Sequence, residues 1–153
     1  MRRLSPALAL TALLAAAPAQ AENPEGLWLT EKKGVVVKLY ECGDALCGQT
    51  VWMKKMTYKN GAPRLDAKNP DPALRDRHWC GIEVITDVKP KGDGEWKGGE
   101  VYDPKTGETF DFDIKAKGPD RLKVRGYLGV PLLGKSENWT RTDGAGLEFC
   151  SGA

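Results

Sequence analysis

The chain has 153 residues, with 23 Lys plus Arg, 21 Asp plus Glu and one His, for a formal net charge of +2. Both Arg2 and Arg3 sit in the first 21 residues, which hold no acid, so the remaining 132 residues carry 21 basic against 21 acidic side chains. A charge-balanced chain of this size with no lysine or arginine block argues against nucleic-acid binding and polybasic membrane attachment, and it is too short for a multi-lobed metabolic enzyme.

The N-terminus reads as an export signal. Met1-Arg2-Arg3 is a short basic region, Ala7 to Ala17 is apolar except for Thr11, and Ala19-Gln20-Ala21 supplies a small-x-small cleavage pattern. The apolar stretch is shorter than the roughly 20 residues of a transmembrane helix, so no transmembrane anchor is expected. Leu4-Ser5-Pro6 departs from a twin-arginine signal, and Glu22 stands where a lipoprotein needs Cys. The expectation is general secretion to the periplasm or beyond, with cleavage after Ala21 and one domain over 22–153.

Glycine and proline then punctuate the chain too often for much helix, at Lys33-Gly34, Gly43-Asp44, Gly92-Asp93-Gly94, Asp103-Pro104-Lys105-Thr106-Gly107 and Gly118-Pro119-Asp120. The segments between them alternate with period two: Phe110, Phe112 and Ile114 oppose Asp111, Asp113 and Lys115, and Leu122 and Val124 oppose Lys123 and Arg125. This spacing predicts strands at 26–30, 35–42, 47–54, 80–88, 95–102, 108–116, 121–127 and 135–142. Short loops make them a meander, and eight such strands escape open edges by closing into an all-β, antiparallel up-and-down barrel; a sandwich is the alternative. The exception to the short loops runs over 55–79, and loops of that length are usually functional lids or partly ordered spans.

All four cysteines, Cys42, Cys47, Cys80 and Cys150, lie in the exported part, where disulfides are the default. Of three connectivities, Cys42 to Cys47 across a hairpin and Cys80 to Cys150 is favoured. A four-cysteine zinc site would need thiolates kept reduced, which export disfavours.

Gly26-Leu27-Trp28 opens the first strand and Trp139-Thr140-Arg141 closes the last, so barrel closure would bring Arg141 onto the Trp28 ring. This pairing resembles that of lipocalins and related calycins. A longer set of blocks, in order, resembles the small exported bacterial proteins grouped as the "domain of unknown function 2147" family. These include Tyr40-Glu41-Cys42-Gly43-Asp44-Ala45-Leu46-Cys47-Gly48, Asp66-Ala67-Lys68-Asn69-Pro70-Asp71-Pro72-Ala73-Leu74-Arg75, Cys80-Gly81, Gly98 to Gly107, Arg125 to Gly129, and Trp139-Thr140-Arg141. The resemblance implies a periplasmic or secreted lipocalin-like barrel and no established activity. The chain departs from it at His78-Trp79 and at Cys150, and a pattern of three shared cysteines leaves pairing of Cys80 with Cys42 or Cys47 open.

His78 is the one imidazole, and between Arg77 and Trp79 it reads better as a solvated loop residue than as a general base. Asp66, Asp71, Asp76 and Asp103 could gather oxygen ligands for calcium, but they lack its loop spacing and Asx turns explain them more simply. Glu100 with Asp111 or Asp113 could form a glycosidase pair, yet the alternation puts Asp111 and Asp113 on the wet face. No catalytic residue, metal or cofactor is therefore assigned. The positive signal is aromatic: Trp52, Trp96, Tyr102, Phe110 and Phe112 are candidates to line an apolar cavity, with Arg125 and Tyr127 at its mouth. The expected function is a binding protein carrying or sensing a small apolar or amphipathic ligand. The alternative is a solid barrel that contacts another envelope protein through the long loop and the apolar run from Tyr127 to Gly134.

Overall fold

The computed structural model describes residues 23–151, so the expected export signal and cleavage position lie outside the described residues. Each of the eight alternating segments forms a strand: β1 (Gly26–Leu29), β2 (Val35–Cys42), β3 (Ala45–Met53), β4 (Glu83–Gly92), β5 (Glu95–Asp103), β6 (Glu108–Ala116), β7 (Arg121–Tyr127) and β8 (Lys135–Thr142). Every strand pairs antiparallel with its sequence neighbour, and β8 returns to β1 through Leu27 opposite Thr142, Trp28 opposite Arg141 and Leu29 opposite Thr140. That last ladder decides for the closed barrel over the sandwich, because it removes the two edges an open sheet would expose.

Three boundaries differ from the sequence expectation by two or more residues: the starts of β3 and β4, and the end of β4, which runs on to Gly92. β3 starts at Ala45 because the turn is only Gly43-Asp44, which puts Cys47 inside the ladder opposite Tyr40. β4 starts at Glu83 because the segment before it is held by other partners: the Gly81 N–H donates to the Thr50 carbonyl at 2.7 Å, and Cys80 is bridged to the tail.

Both favoured disulfides are present, Cys42 with Cys47 and Cys80 with Cys150, each with Cα atoms 5.8 Å apart. All four cysteines are therefore used, which removes both the zinc reading and the pairing of Cys80 with Cys42 or Cys47. The second bridge ties the C-terminal tail back to the start of β4, and the Cys150 N–H adds a bond to the Val51 carbonyl at 2.8 Å.

The inward side chains fill one end of the barrel. Trp28, Leu39, Ile85, Val88, Ile114 and Leu122 are essentially inaccessible to solvent and pack as one cluster. Burying a tryptophan of roughly 200 Å² is worth about 5 kcal/mol before ordering costs, so Trp28 is a major part of this plug. Its indole N–H donates to the Pro24 carbonyl at 2.7 Å, and the Arg141 guanidinium lies 4.2 Å from its ring centroid. Arg141 also donates to the carbonyls of Pro119, Glu25 and Asn23 at 2.7, 2.7 and 2.8 Å, stitching the N-terminal segment and the β6–β7 turn across this floor. The cation–ring contact expected from the two terminal motifs is thus formed.

The long segment between β3 and β4 is ordered and lies against the outer wall of the barrel. Its pivot is Asp66, a carboxylate with 0 % exposure. Arg77 Nε donates to its Oδ2 at 2.9 Å, Asn69 Nδ2 donates to the same oxygen at 2.8 Å, and the Tyr102 hydroxyl donates to Oδ1 from β5. Asp71 caps the short 3-10 turn Pro72–Leu74 by accepting from the Ala73 N–H at 2.9 Å. Arg64 lies over both Tyr58 and Trp79, 4.7 and 5.1 Å from the ring centroids, where the two rings meet edge to face. The β5–β6 turn closes on this segment so tightly that a Cβ on Gly107, whose φ is +78°, would come 2.1 Å from the Lys68 carbonyl oxygen. Only glycine fits both that backbone angle and that gap.

Candidate functional site

Because strands alternate direction, the β1–β2, β3–β4, β5–β6 and β7–β8 connections all emerge at the end opposite the Trp28 plug. There the interior is hollow. A cavity of about 640 Å³ opens between β5, β6, β7 and β8, with Phe112, Val124 and Trp139 toward its floor and Val101 and Phe110 on its wall. The β7–β8 connection supplies Leu128 and Leu133 at the lip. This volume falls inside the range of roughly 300–1,000 Å³ usual for small-molecule sites.

The cavity owes part of its space to one residue. Gly126 faces inward opposite Phe112, and a Cβ there would find nothing nearer than Val101 Cγ1 at 3.8 Å. A larger residue at this position would project into the hollow.

Charge enters through β8. Period-two alternation that turns Trp139 inward also turns Glu137 and Lys135 toward the cavity, opposite Val124 and Gly126 of β7. Glu137 is half-buried, and its Oε2 accepts from the Trp139 indole N–H at 3.1 Å. No ion pair engages Glu137 or Lys135 among the described residues. Asp103 is at the rim, where its Oδ1 accepts from the Lys105 N–H at 2.9 Å.

The residues singled out from sequence divide between this cavity and other places. Phe110, Phe112 and Tyr127 line it. Tyr127 is at the rim with its hydroxyl turned to Asp113 Oδ2 at 3.3 Å, and burial, followed by that neighbouring carboxylate, raises its pKa. Trp96 packs against the core near the other end, opposite Ile114. Trp52 is half-buried opposite Val36, beside a bulge in the β2–β3 ladder, and is not part of the lining. Tyr102 faces outward, because its neighbour Val101 faces in; burial, followed by the hydrogen bond to Asp66, pushes its phenol up to about 12. Arg125 also faces outward, and its guanidinium donates to the carbonyls of Pro131 and Leu132 and to Ser136 Oγ, which fixes the β7–β8 connection from behind. Four of the seven candidates thus lie outside the lining: Tyr102 and Arg125 because strand parity turns them outward, Trp96 because it packs toward the plugged end, and Trp52 because it lies beside the bulge.

The other chemistry considered from sequence has structural employment. His78 is exposed and joins Leu65 through a backbone bridge. Asp111 and Asp113 accept from the Gly129 and Gly98 backbone N–H groups at 2.9 and 3.0 Å on the outer face. Asp66, Asp71 and Asp103 are engaged as described, and no group of three or more His, Cys, Asp or Glu side chains suited to a metal is found among the described residues. The reading of these aspartates as plain Asx turns missed the buried role of Asp66. An acid, an amide and an arginine within one loop, Asp66, Asn69 and Arg77, were the available signal. Glu137 and Lys135 were missed too, although their parity with Trp139 was legible.

A closed eight-stranded antiparallel barrel, plugged at one end and hollow at the other, is a lipocalin-like barrel. The chain belongs to the bacterial family described as "Uncharacterized protein conserved in bacteria (DUF2147)", whose profile covers residues 26–141. Among solved structures it is similar to protein HP1028 from the human pathogen Helicobacter pylori, described as belonging to the lipocalin family. The two share 22% identity with a TM-score of 0.69, over 79% of this chain and 84% of that one. No curated protein matches the chain.

Proposed function

We propose that this protein is an exported, non-catalytic binding protein that carries or senses a small apolar or amphipathic molecule in the periplasm. The observation that carries the reading is the cavity of about 640 Å³ whose floor and walls are aromatic and aliphatic. Apolar burial is non-directional, so such a hollow favours ligands by shape and greasiness, with a few polar groups setting orientation. The signal sequence read at 1–21 and the two disulfides support an oxidising location.

Native mass spectrometry of protein purified without denaturation, with lipophilic fluorescent probes, tests this reading. Wild-type protein is expected to bind, and Gly126→Leu, which fills the hollow from β7, is expected to lose binding while melting within a few degrees of wild type. Equal binding by the two proteins would refute it.

A second reading rests on the lip. Leu132 and Leu133 are 88 % and 79 % exposed, beside exposed Leu128 and Val130, an apolar cluster suited to an envelope protein partner. A pull-down whose partner is lost on changing Leu132 and Leu133 to Ser, with Gly126→Leu harmless, would favour that reading over the carrier.

A further inference from the structure

The hollow end of the barrel is apolar except for Asp103 at the β5 rim and the charges of β8, and those of β8 are ordered by depth. Lys135 is exposed at the rim; Glu137 is half-buried one inward position deeper; Trp139 is buried at the floor. An exposed lysine is solvated and needs no partner. A carboxylate inside an apolar cavity is in a different position, since any ligand that fills the cavity expels the water around it. Desolvating a charge is costly unless an opposite charge and hydrogen bonds replace the water.

Glu137 is prepared for only part of that replacement. One oxygen, Oε2, accepts from the Trp139 indole N–H at 3.1 Å, which fixes the carboxylate against the floor. No Lys, Arg or His forms an ion pair with it among the described residues. Asp103 adds a second negative charge at the rim, so the lining holds two carboxylates against one ammonium. An anionic head group brought to Glu137 would meet like charge in a low-dielectric hollow, whereas an ammonium would supply the missing partner. The aromatic faces of Phe112 and Trp139 beside it are also suited to a cation.

Resting on the carrier reading above, we infer that the ligand is an amphipathic amine, its protonated nitrogen directed inward to Glu137 and its apolar body against Phe110, Phe112 and Val124. Lys135 at the rim is then free to meet solvent or a distal acidic group of the ligand.

The test compares three ligands of equal chain length and different head group, octylamine, octanol and octanoate, by calorimetric titration of the full exported chain. A hydrogen bond to a charged group corresponds to roughly tenfold or more in affinity, so octylamine is expected to bind about tenfold more tightly than octanol, and octanoate more weakly than either. Glu137→Gln, which preserves shape and can still accept from Trp139, is expected to erase the amine preference and leave octanol binding unchanged. The three-ligand comparison on wild-type protein stands even if the variant fails to fold. Equal affinities across the head groups, tighter binding of octanoate, or an amine preference that survives Glu137→Gln would overturn the amine assignment while leaving the carrier reading in place. Binding of none of the three, in wild type and in Gly126→Leu alike, would overturn both.

Discussion

Replacing Asp66 with Ala is the most searching perturbation of this structure outside the cavity. The carboxylate is fully buried and accepts from Arg77 at 2.9 Å, Asn69 at 2.8 Å and the Tyr102 hydroxyl. Alanine removes the common acceptor of three donors on two parts of the chain. Breaking a wholly buried ion pair costs about 3–5 kcal/mol, but the Arg77 side chain is 34 % exposed and can turn to water, which lowers its share. The Asn69 amide is buried and loses one of two acceptors, keeping the Tyr102 hydroxyl at 3.2 Å, so its share is at the low end of about 1–3 kcal/mol. Together these give a loss of about 3 kcal/mol, of which a part appears as local release of the 55–79 segment from the β5 wall. Urea unfolding followed by tryptophan fluorescence reads the global part. Limited tryptic digestion reads the local part, because the segment carries Lys59, Arg64, Lys68 and Arg75. Tyr102 would also titrate at lower pH in the variant. If Asp66→Ala unfolds within about 1 kcal/mol of wild type and its loop resists trypsin equally, the carboxylate is not the pivot of this segment.

Three further expectations follow from the same geometry. Tyr40, beside Glu83, and Tyr102, beside Asp66, are both pushed up to about 12 from an ordinary 10, so the folded state holds their protons longer than the unfolded chain does. Their contribution is full below about pH 10 and is lost as pH rises through about 12; denaturant midpoints measured across that window should fall, less steeply for Tyr102→Phe, and a flat profile would contradict the shifts. Replacing Cys80 and Cys150 together with Ser opens a loop spanning 70 residues, for which the chain-entropy model gives about 4 kcal/mol, readable as a lower urea midpoint. Unchanged stability would mean that the bridge constrains little in the unfolded chain. Arg141→Lys, nominally conservative, would keep one of three carbonyl bonds and lose the stacked guanidinium over Trp28, for a loss of about 2–3 kcal/mol in thermal unfolding.

Strand placement was legible because period-two alternation and glycine punctuation are local signals that tertiary packing here reinforces. Phe110, Phe112 and Ile114 face inward as their spacing predicts, and the terminal Trp28 and Arg141 meet because closure makes the first and last strands neighbours. The cavity was legible only as an aromatic surplus. Trp96 and Phe110 are both inward, yet only one end of the barrel is hollow, and which end depends on volumes summed over many strands rather than on any motif. Tyr102 illustrates a second limit. Its parity directs it outward, and its partner Asp66 is 36 residues away in a segment with no periodicity to place it. The role of Asp66 therefore depends on a docking geometry that composition does not encode.

The placement of the long loop has a kinetic consequence. No residue of 55–79 lines the cavity, and the Asp66 cluster holds that segment on the outer wall. That segment is therefore not a cover that a molecule entering the barrel must displace; the β7–β8 connection is the lip it passes, and association without a gating step would proceed at about 10⁵–10⁷ M⁻¹s⁻¹. Residence time then follows affinity: at such rates a micromolar ligand would leave in about 0.1–10 s. Such a barrel equilibrates with its surroundings quickly, which suits a protein that reports or buffers a concentration better than one that sequesters its cargo over long transit.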